Sequence, residues 1–506
     1  MVAKINTFAL LGLEIKPVLV EVDIRFGMPK FDIVGLGSKS VQESKERVTS
    51  AIRNSGFEMP AKVIVVNLAP ADLPKSSPCY DLAIAIGILL ASDQISLKFI
   101  DNTFFWSELS LDGLLKHSSG ILPIVEYLRS QLCRGFFFSQ TDAHEASLVG
   151  GVDNFPANSL RDVVEHLNNS KLIPRLPLNT NFEIGTRNYE VDLASIRGQT
   201  HAKRALEIAA AGGHNIILTG TPGSGKSMLA KAFPSILPDM DVSEALEVSK
   251  IYSISGLLLK DKPLIRDRPF RKPHHTSSQV SIIGGGAIPK PGEITLAHRG
   301  VLFLDEFPEF SLQSIEALRQ PLEDRIVTIS RAQGSLTFPA SFSLIAAMNP
   351  CRCGWKGDMD RRCICSLNDI VKYQKKISGP ILDRFDLQVW VPRVKIDNLL
   401  EITPEESSES VKTRVVKARN IQKERFVKSG LNIYSNAEMP QKFLDETIVL
   451  DDVAKKLIRS VVEKLNLSAR SYYRALKVAQ TICDLEGSEK ITEVHIAEAL
   501  SYRLGE

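Results

Sequence analysis

The stretch Ile216-Ile-Leu-Thr-Gly220-Thr221-Pro222-Gly223-Ser224-Gly225-Lys226-Ser227-Met228-Leu-Ala decides the fold of this chain. It fits G-x-x-x-x-G-K-[ST], the Gly-rich loop that carries nucleotide phosphates. Its glycines let backbone N–H groups wrap phosphate oxygens, and the helix that follows points its positive end at them. Lys226 then reaches the β/γ-phosphates and Ser227 holds Mg²⁺. The flanks agree: Asn215–Leu218 reads as the strand that must precede such a loop and Met228–Phe233 as the helix that must follow. ATP and Mg²⁺ are therefore the expected cofactors, with Gly220 to Ser227 as their cradle.

Downstream, Val301-Leu-Phe-Leu-Asp305-Glu306 supplies the expected partner. Four apolar residues form a buried strand, and two acids leave its carboxyl end, where ligands of open α/β sheets bind. Asp305 is expected to hold Mg²⁺ and Glu306 to polarise the attacking water. Ser343–Ala347 is a further short apolar run of buried-strand type. Thr200 is read as the cap of a helix through Ala211 that stops at Gly212-Gly213. Strands alternating with helices predict a parallel α/β sheet across this region.

The composition allows several such units. The chain has 506 residues, 44% of them hydrophobic and 24% charged, which is ordinary for globular proteins. Its 62 Lys and Arg against 59 Asp and Glu leave a net charge of only +3, so a nucleic-acid surface has to be local. The longest apolar run, Leu82–Ala91, is too short to cross a bilayer. Glu14 and Lys16 break the N-terminal apolar stretches, which argues against a signal peptide. A cytoplasmic protein without membrane contact is expected. The divisions expected are an α+β domain over 1–170, a linker over 171–190, the α/β core over 191–395 and a helical lid over 396–506. In the lid, Ala475, Leu476, Ala479, Ile482 and Cys483 share one helix face, with Ser468 as cap and Gly487 as stop.

Further segments complete a pattern. Ala346-Ala-Met-Asn349-Pro350, Ser378-Gly-Pro-Ile-Leu-Asp383-Arg384-Phe385-Asp386, PFRKPHH (269–275) and GEITLAHRGVLFLDE (292–306) occur with the phosphate loop. Together they resemble AAA+ ATPases of the magnesium-chelatase-like type, and within these the ComM/YifB family, over nearly the whole chain. ComM proteins are hexameric DNA helicases that promote branch migration of incoming DNA during natural transformation, a step of homologous recombination with the incoming strand. The resemblance implies a homo-oligomeric ring acting on single-stranded or branched DNA. A chelatase-like or protein-remodelling ATPase acting on a protein partner is the rival, and a non-hydrolysing nucleotide switch is disfavoured by the full set of hydrolytic residues.

The resemblance also implies residue roles. Asn349 resembles the sensor-1 residue that helps place the water, and Arg384 the arginine finger that reaches a neighbour's ATP. Arg470 resembles sensor 2 of the lid, with Arg474 one turn later as an alternative. Residues 1–170 resemble a Lon-protease-like domain. Where active Lon proteases carry their Ser nucleophile this chain has Cys79, and their Lys aligns near Leu122, so no protease activity is expected.

Two clusters are read from composition. Cys351, Cys353, Cys363 and Cys365 lie within fifteen residues. Four thiolates suit a structural, tetrahedral Zn²⁺, although C-x-C spacing is tighter than the usual C-x₂-C and leaves open a reduced loop of incidental cysteines. Residues 261–299 carry seven basic and three acidic residues. Gly284–Gly286 and Pro289–Gly292 read as mobile loops within that segment. Ile326–Ser330 and Ser335–Phe338 form a hairpin pattern, and in the family such elements face the pore. Basic loops there are expected to grip DNA phosphates. His274-His275 lacks a third ligand and is read as a loop or interface pair rather than a metal site.

Overall fold

The computed structural model describes residues 2–35, 39–75, 77–95, 102–131, 133–179, 189–286, 289–331, 334–358, 360–394, 405–465 and 468–503. Residues 180–188 of the expected linker, the expected core–lid boundary at 395/396 and the hairpin turn 332–333 lie outside them.

The N-terminal region builds a seven-stranded mixed sheet. Its strands are β1 (Ala3–Leu11), β2 (Glu14–Arg25), β3 (Lys30–Val34), β4 (Val63–Ala69), β5 (Thr103–Trp106), β6 (Gly135–Ser139) and β7 (Asn154–Ala157), in the order β3-β4-β2-β1-β5-β6-β7. Helix Asp81–Ala91 is apolar on nearly all sides and packs on β1 and β2 as the centre of this core. Such all-round burial is why its sequence shows no amphipathic period.

The central sheet holds the chemistry. Its strands are β8 (Ile216–Thr219), β9 (Phe270–Arg271), β12 (Val301–Leu304), β15 (Ser343–Met348) and β16 (Leu387–Trp390), all parallel, in the order β16-β8-β15-β12-β9. The short pair β10 (Gly284–Gly285) and β11 (Lys290–Pro291) and the hairpin β13 (Ile326–Arg331) and β14 (Gly334–Pro339) lie apart from it. Residues alternate between two buried faces. Ile216, Leu218, Val301, Phe303, Ile345 and Ala347 join a core shared with the lid helices. Ile217, Leu302, Leu304, Leu344 and Ala346 join a second core that includes Val327, Ile329 and Phe338 of the hairpin. Burial on both faces explains why these strands read as unbroken apolar runs.

Two local expectations are corrected. Helix Thr200–Gly212 begins after Gln199, which takes a left-handed backbone and makes no side-chain cap; Thr200 is the first helical residue. The Gln199 amide instead donates to the Ser224 and Pro392 carbonyls, so a tertiary anchor overrides the capping preference of threonine. Gly284–Gly285 pairs in register with Lys290–Pro291, so the segments read as loose loops form a small ladder.

The lid packs helices Ser408–Lys428, Asp452–Leu465, Ala469–Glu486 and Glu493–Ser501 together. Ser468 accepts from the Ser471 amide and Gly487 closes the third helix in a left-handed turn, as the capping residues predict. The N-terminal region meets the core through Ser253, whose hydroxyl lies 2.5 Å from the Glu145 carboxylate and accepts from the Gly120 amide. Among the described residues no helix is long and apolar enough to cross a membrane.

Cys79 and Leu122 are both buried. Burial pushes the Cys79 thiol up to about 12, so it is a neutral thiol at physiological pH. Cys79→Ala is expected to leave ATP turnover unchanged, with no cleavage of unfolded casein before or after the substitution. Proteolysis that disappears with the thiol would show the domain to be catalytic.

Candidate active site

The carboxyl ends of three neighbouring strands bring the expected residues together. β15 lies between β8 and β12, with Met348 opposite Thr219 and Leu304 opposite Ala346. Gly220–Ser227, Asp305-Glu306 and Asn349 therefore leave the sheet side by side. This crevice is where open α/β sheets bind ligands.

The loop is shaped for an anion. Gly223 and Gly225 have φ of 77° and 93°, which L side chains rarely adopt, and the space over both is open. Lys226 opens helix Lys226–Ile236, and its Nζ donates to the Gly220 carbonyl at 2.7 Å, the Thr221 carbonyl at 2.9 Å and Asn349 Oδ1 at 3.3 Å. Burial pushes its ammonium down to about 8, a penalty that a phosphate in the loop offsets. Thr221 Oγ1 and Ser224 Oγ are buried without a partner among the described residues. A buried, still cationic lysine beside a buried hydroxyl without a partner among the described residues fits a phosphate chain.

Ser227 Oγ donates to Asp305 Oδ2 at 3.0 Å, so the two oxygens expected to face Mg²⁺ are adjacent. Lys272 Nζ donates to the same carboxylate oxygen at 2.9 Å and lies 5.1 Å over the Phe303 ring. Glu306 has a left-handed backbone, φ 52°, with its carboxylate largely exposed, and His275 Nδ1 lies 3.2 Å from Glu306 Oε2. A non-glycine residue in that region stores strain of about 1–3 kcal/mol, which concentrates at functional positions. Lys272 and His275 escaped the sequence reading: the first entered only as a charge and the second as half of a histidine pair. Strand β9, which aims both at the acids, is too short to show a period.

The cysteine loop roofs this crevice. The Sγ atoms of Cys351, Cys353 and Cys363 stand 3.4–3.7 Å apart, and all four thiols, Cys365 included, lie within 4.8 Å of one another. Tetrahedral Zn²⁺ with Zn–S of about 2.3 Å needs S···S edges of about 3.8 Å, so the donors fit. A side chain at Gly354 would come within 2.7 Å of Pro222, so only glycine lets this loop press on the phosphate loop.

Arg384 and Arg470 lie elsewhere. Asn215, just ahead of β8, donates to the Arg384 carbonyl at 3.1 Å, which places Arg384 at the amino end of the strand. The phosphate loop is at the other end, roughly 15 Å away at about 3.3 Å per residue. Arg384 is only 2% exposed. Its Nη2 lies 2.6 Å from Glu323 Oε1, its Nη1 donates to the Pro380 carbonyl, and its Nε has no partner among the described residues. It is thus paired with neither of its sequence neighbours Asp383 and Asp386. Arg470 donates to that same Glu323 oxygen. Arg474 Nη1 is 3.2 Å from Asp386 Oδ1. Burial alone would raise the Asp386 carboxyl, but Arg474 and His214 hold it well below the usual carboxylate range. Glu323 had no sequence signal: it is an ordinary acid in the short helix Arg319–Asp324.

The basic segment 261–299 is largely spoken for. Arg268 pairs with Glu244 at 3.1 Å, Arg271 with Glu293 at 2.6 Å, Arg299 with Glu247 at 2.9 Å and Lys272 with Asp305. The acids lie mostly outside the segment, so a local charge count overstated the free cationic surface. Lys262 and Lys290 are exposed.

Comparison with known proteins agrees with this architecture. Residues 192–399 match the family described as magnesium chelatase, subunit ChlI, residues 20–142 match that described as subunit ChlI of Mg-chelatase, and residues 405–503 match the ChlI C-terminal family. The chain is 43% identical over 502 residues to Competence protein ComM of Haemophilus influenzae, covering 98% of this chain and 96% of that protein. It is 41% identical over 502 residues to the protein YifB of Escherichia coli, covering 99% and 96%. More distantly, 247 residues are 25% identical to DNA replication licensing factor mcm-6 of Caenorhabditis briggsae, covering 48% of this chain and 26% of that protein.

Proposed function

Since this chain belongs to the ComM/YifB family of magnesium-chelatase-like AAA+ ATPases, we propose that it is an ATP-hydrolysing ring motor on DNA, a branch-migration helicase of natural transformation. One observation carries the ring: Lys226, Ser227, Asp305, Glu306 and Asn349 meet at one end of the sheet, whereas Arg384 and Arg470 sit at the other. A subunit thus holds a nucleotide pocket whose arginines come from a neighbour. In this reading Gly220–Ser227 cradle the triphosphate, Ser227 and Asp305 face Mg²⁺, Glu306 polarises water and Asn349 orients it. Mg²⁺ held by Ser227 and Asp305 would supply charge neutralisation there, and the neighbour's Arg384 offsets charge on the transferring phosphoryl group. Arg470, half-exposed, serves as sensor 2 in preference to Arg474, which Asp386 engages. The six-membered ring is what the family resemblance implies.

The hairpin β13–β14 supports DNA as the substrate. It stands off the sheet on a buried apolar base and is followed directly by β15, the strand that ends at Asn349. A licensing factor of DNA replication among the distant relatives points the same way. ATPase and strand-displacement assays with single-stranded, duplex and branched DNA test this. Turnover stimulated by single-stranded or branched DNA, with ATP-dependent displacement, is expected. Turnover indifferent to all three but raised by a protein partner would favour the remodelling alternative.

The four thiols complete the reading as a structural Zn²⁺ site that stiffens the loop over Pro222 and beside Asn349. Protein purified without chelator is expected to carry about one Zn²⁺ per chain. Cys363→Ser should release it and raise the protease sensitivity of residues 351–365. Elemental analysis of freshly reduced protein showing no stoichiometric metal would remove the site.

A further inference from the structure

Glu323 accepts from two arginines that the ring needs elsewhere. Arg384 Nη2 lies 2.6 Å from Glu323 Oε1, and Arg470 donates to that same oxygen. Arg319 and Arg474 stand nearby, each held by its own acid, Glu316 at 3.2 Å and Asp386 at 3.2 Å. Burial, then Arg319 and Arg474, push the Arg384 guanidinium down from its ordinary value. Glu323 is the carboxylate that holds the Arg384 guanidinium, beside the Pro380 carbonyl, and its Nε is left without a partner among the described residues.

We propose that Glu323 is a positioning residue: it latches Arg384 and Arg470 inside their own subunit and yields them to the phosphates of a neighbour's nucleotide. This rests on the ring reading above. The chemistry is a competition between acceptors. A triphosphate offers a guanidinium fork more charge and more oxygens than one half-exposed carboxylate, so the arginines transfer when a loaded neighbour docks. The latch also has a handle. Glu323 is the penultimate residue of helix Arg319–Asp324, Arg325 turns the chain in a left-handed conformation, and β13 starts at Ile326. Arg325 is tied to Ser341 Oγ at 3.2 Å, beyond the far strand of the hairpin. A pull on β13–β14 thus reaches Glu323 through two residues, which links a strand held at the hairpin to release of the arginines.

The test is steady-state ATPase of the full-length Glu323→Gln protein, with and without a single-stranded oligonucleotide. Gln keeps the shape and removes the charge. Releasing Arg384 from Glu323 raises the competent fraction, so DNA-free turnover should rise roughly five-fold while the DNA-saturated rate stays near wild type. Glu323→Gln/Arg384→Ala must fall to the level of Arg384→Ala alone, which shows that the gain runs through Arg384. DNA-free turnover at or below wild type, in a ring of unchanged size and nucleotide affinity, overturns the latch. Should Glu323→Gln fail to fold, Glu323→Asp decides, since its shorter reach weakens both pairs: a rise supports the proposal and no rise overturns it. Full turnover in Arg384→Ala by itself would instead contradict the arginine-finger reading, whatever Glu323 does.

Discussion

Glu306→Gln is expected to bind ATP as tightly as wild type and to turn it over roughly 10²–10⁴-fold more slowly. The two effects separate because the residues that hold phosphate and metal are not Glu306. Lys226 is held by the Gly220 and Thr221 carbonyls and Asn349, Ser227 is paired with Asp305, and the Glu306 side chain takes part in neither set, with His275 beside it. Gln fills the same volume in the same left-handed turn, so the strand end keeps its geometry. What is lost is a carboxylate able to take a proton from water. Equilibrium binding of a fluorescent ATP analogue and single-turnover hydrolysis read the two halves independently. Turnover close to wild type would remove Glu306 from the chemistry, and lost binding would make it part of the pocket.

Arg384→Ala should cost about 10³-fold or more in turnover, the range in which an arginine acting on a transferring phosphoryl group falls. An arginine that merely tied Glu323 to the sheet would behave differently. Its loss would show as lower thermal stability, with catalysis scaled only by the fraction folded, since one such pair is worth at most a few kcal/mol even when partly buried. Nucleotide affinity should persist in Arg384→Ala, because the chain's own phosphate loop lies at the opposite end of the sheet. A melting curve beside the kinetic measurement distinguishes the roles: a modest loss of stability with a collapse of turnover is expected.

Much of this is legible in the sequence. Gly220–Ser227 announces itself because phosphate binding needs glycines and a lysine at fixed spacing. Val301–Leu304 and Ser343–Met348 announce themselves because burial on both faces permits only apolar residues. Ser468 and Gly487 mark a helix because capping is local chemistry. The rest depends on contacts between distant residues. Gln199, rather than Thr200, precedes its helix because its amide reaches Ser224 and Pro392. Lys272 meets Asp305 only because two-residue β9 happens to flank β12. The basic surplus of 261–299 dissolves into ion pairs with Glu244 and Glu247, which belong to an earlier helix. Glu323 joins Arg384 and Arg470 across sixty-one and one hundred and forty-seven residues of chain, a pairing that no window of sequence contains.

The central claim is that hydrolysis occurs between subunits, and mixing two inactive variants tests it most directly. Arg384→Ala retains Lys226 and Glu306, and Glu306→Gln retains Arg384. When the two are combined under conditions in which labelled subunits are seen to exchange, some interfaces join an intact Glu306 to an intact Arg384. The account predicts that the mixture regains a substantial fraction of wild-type ATPase although each parent is nearly inactive. A mixture that exchanges subunits yet stays as inactive as its parents would contradict it, and would place Arg384 at work within its own chain.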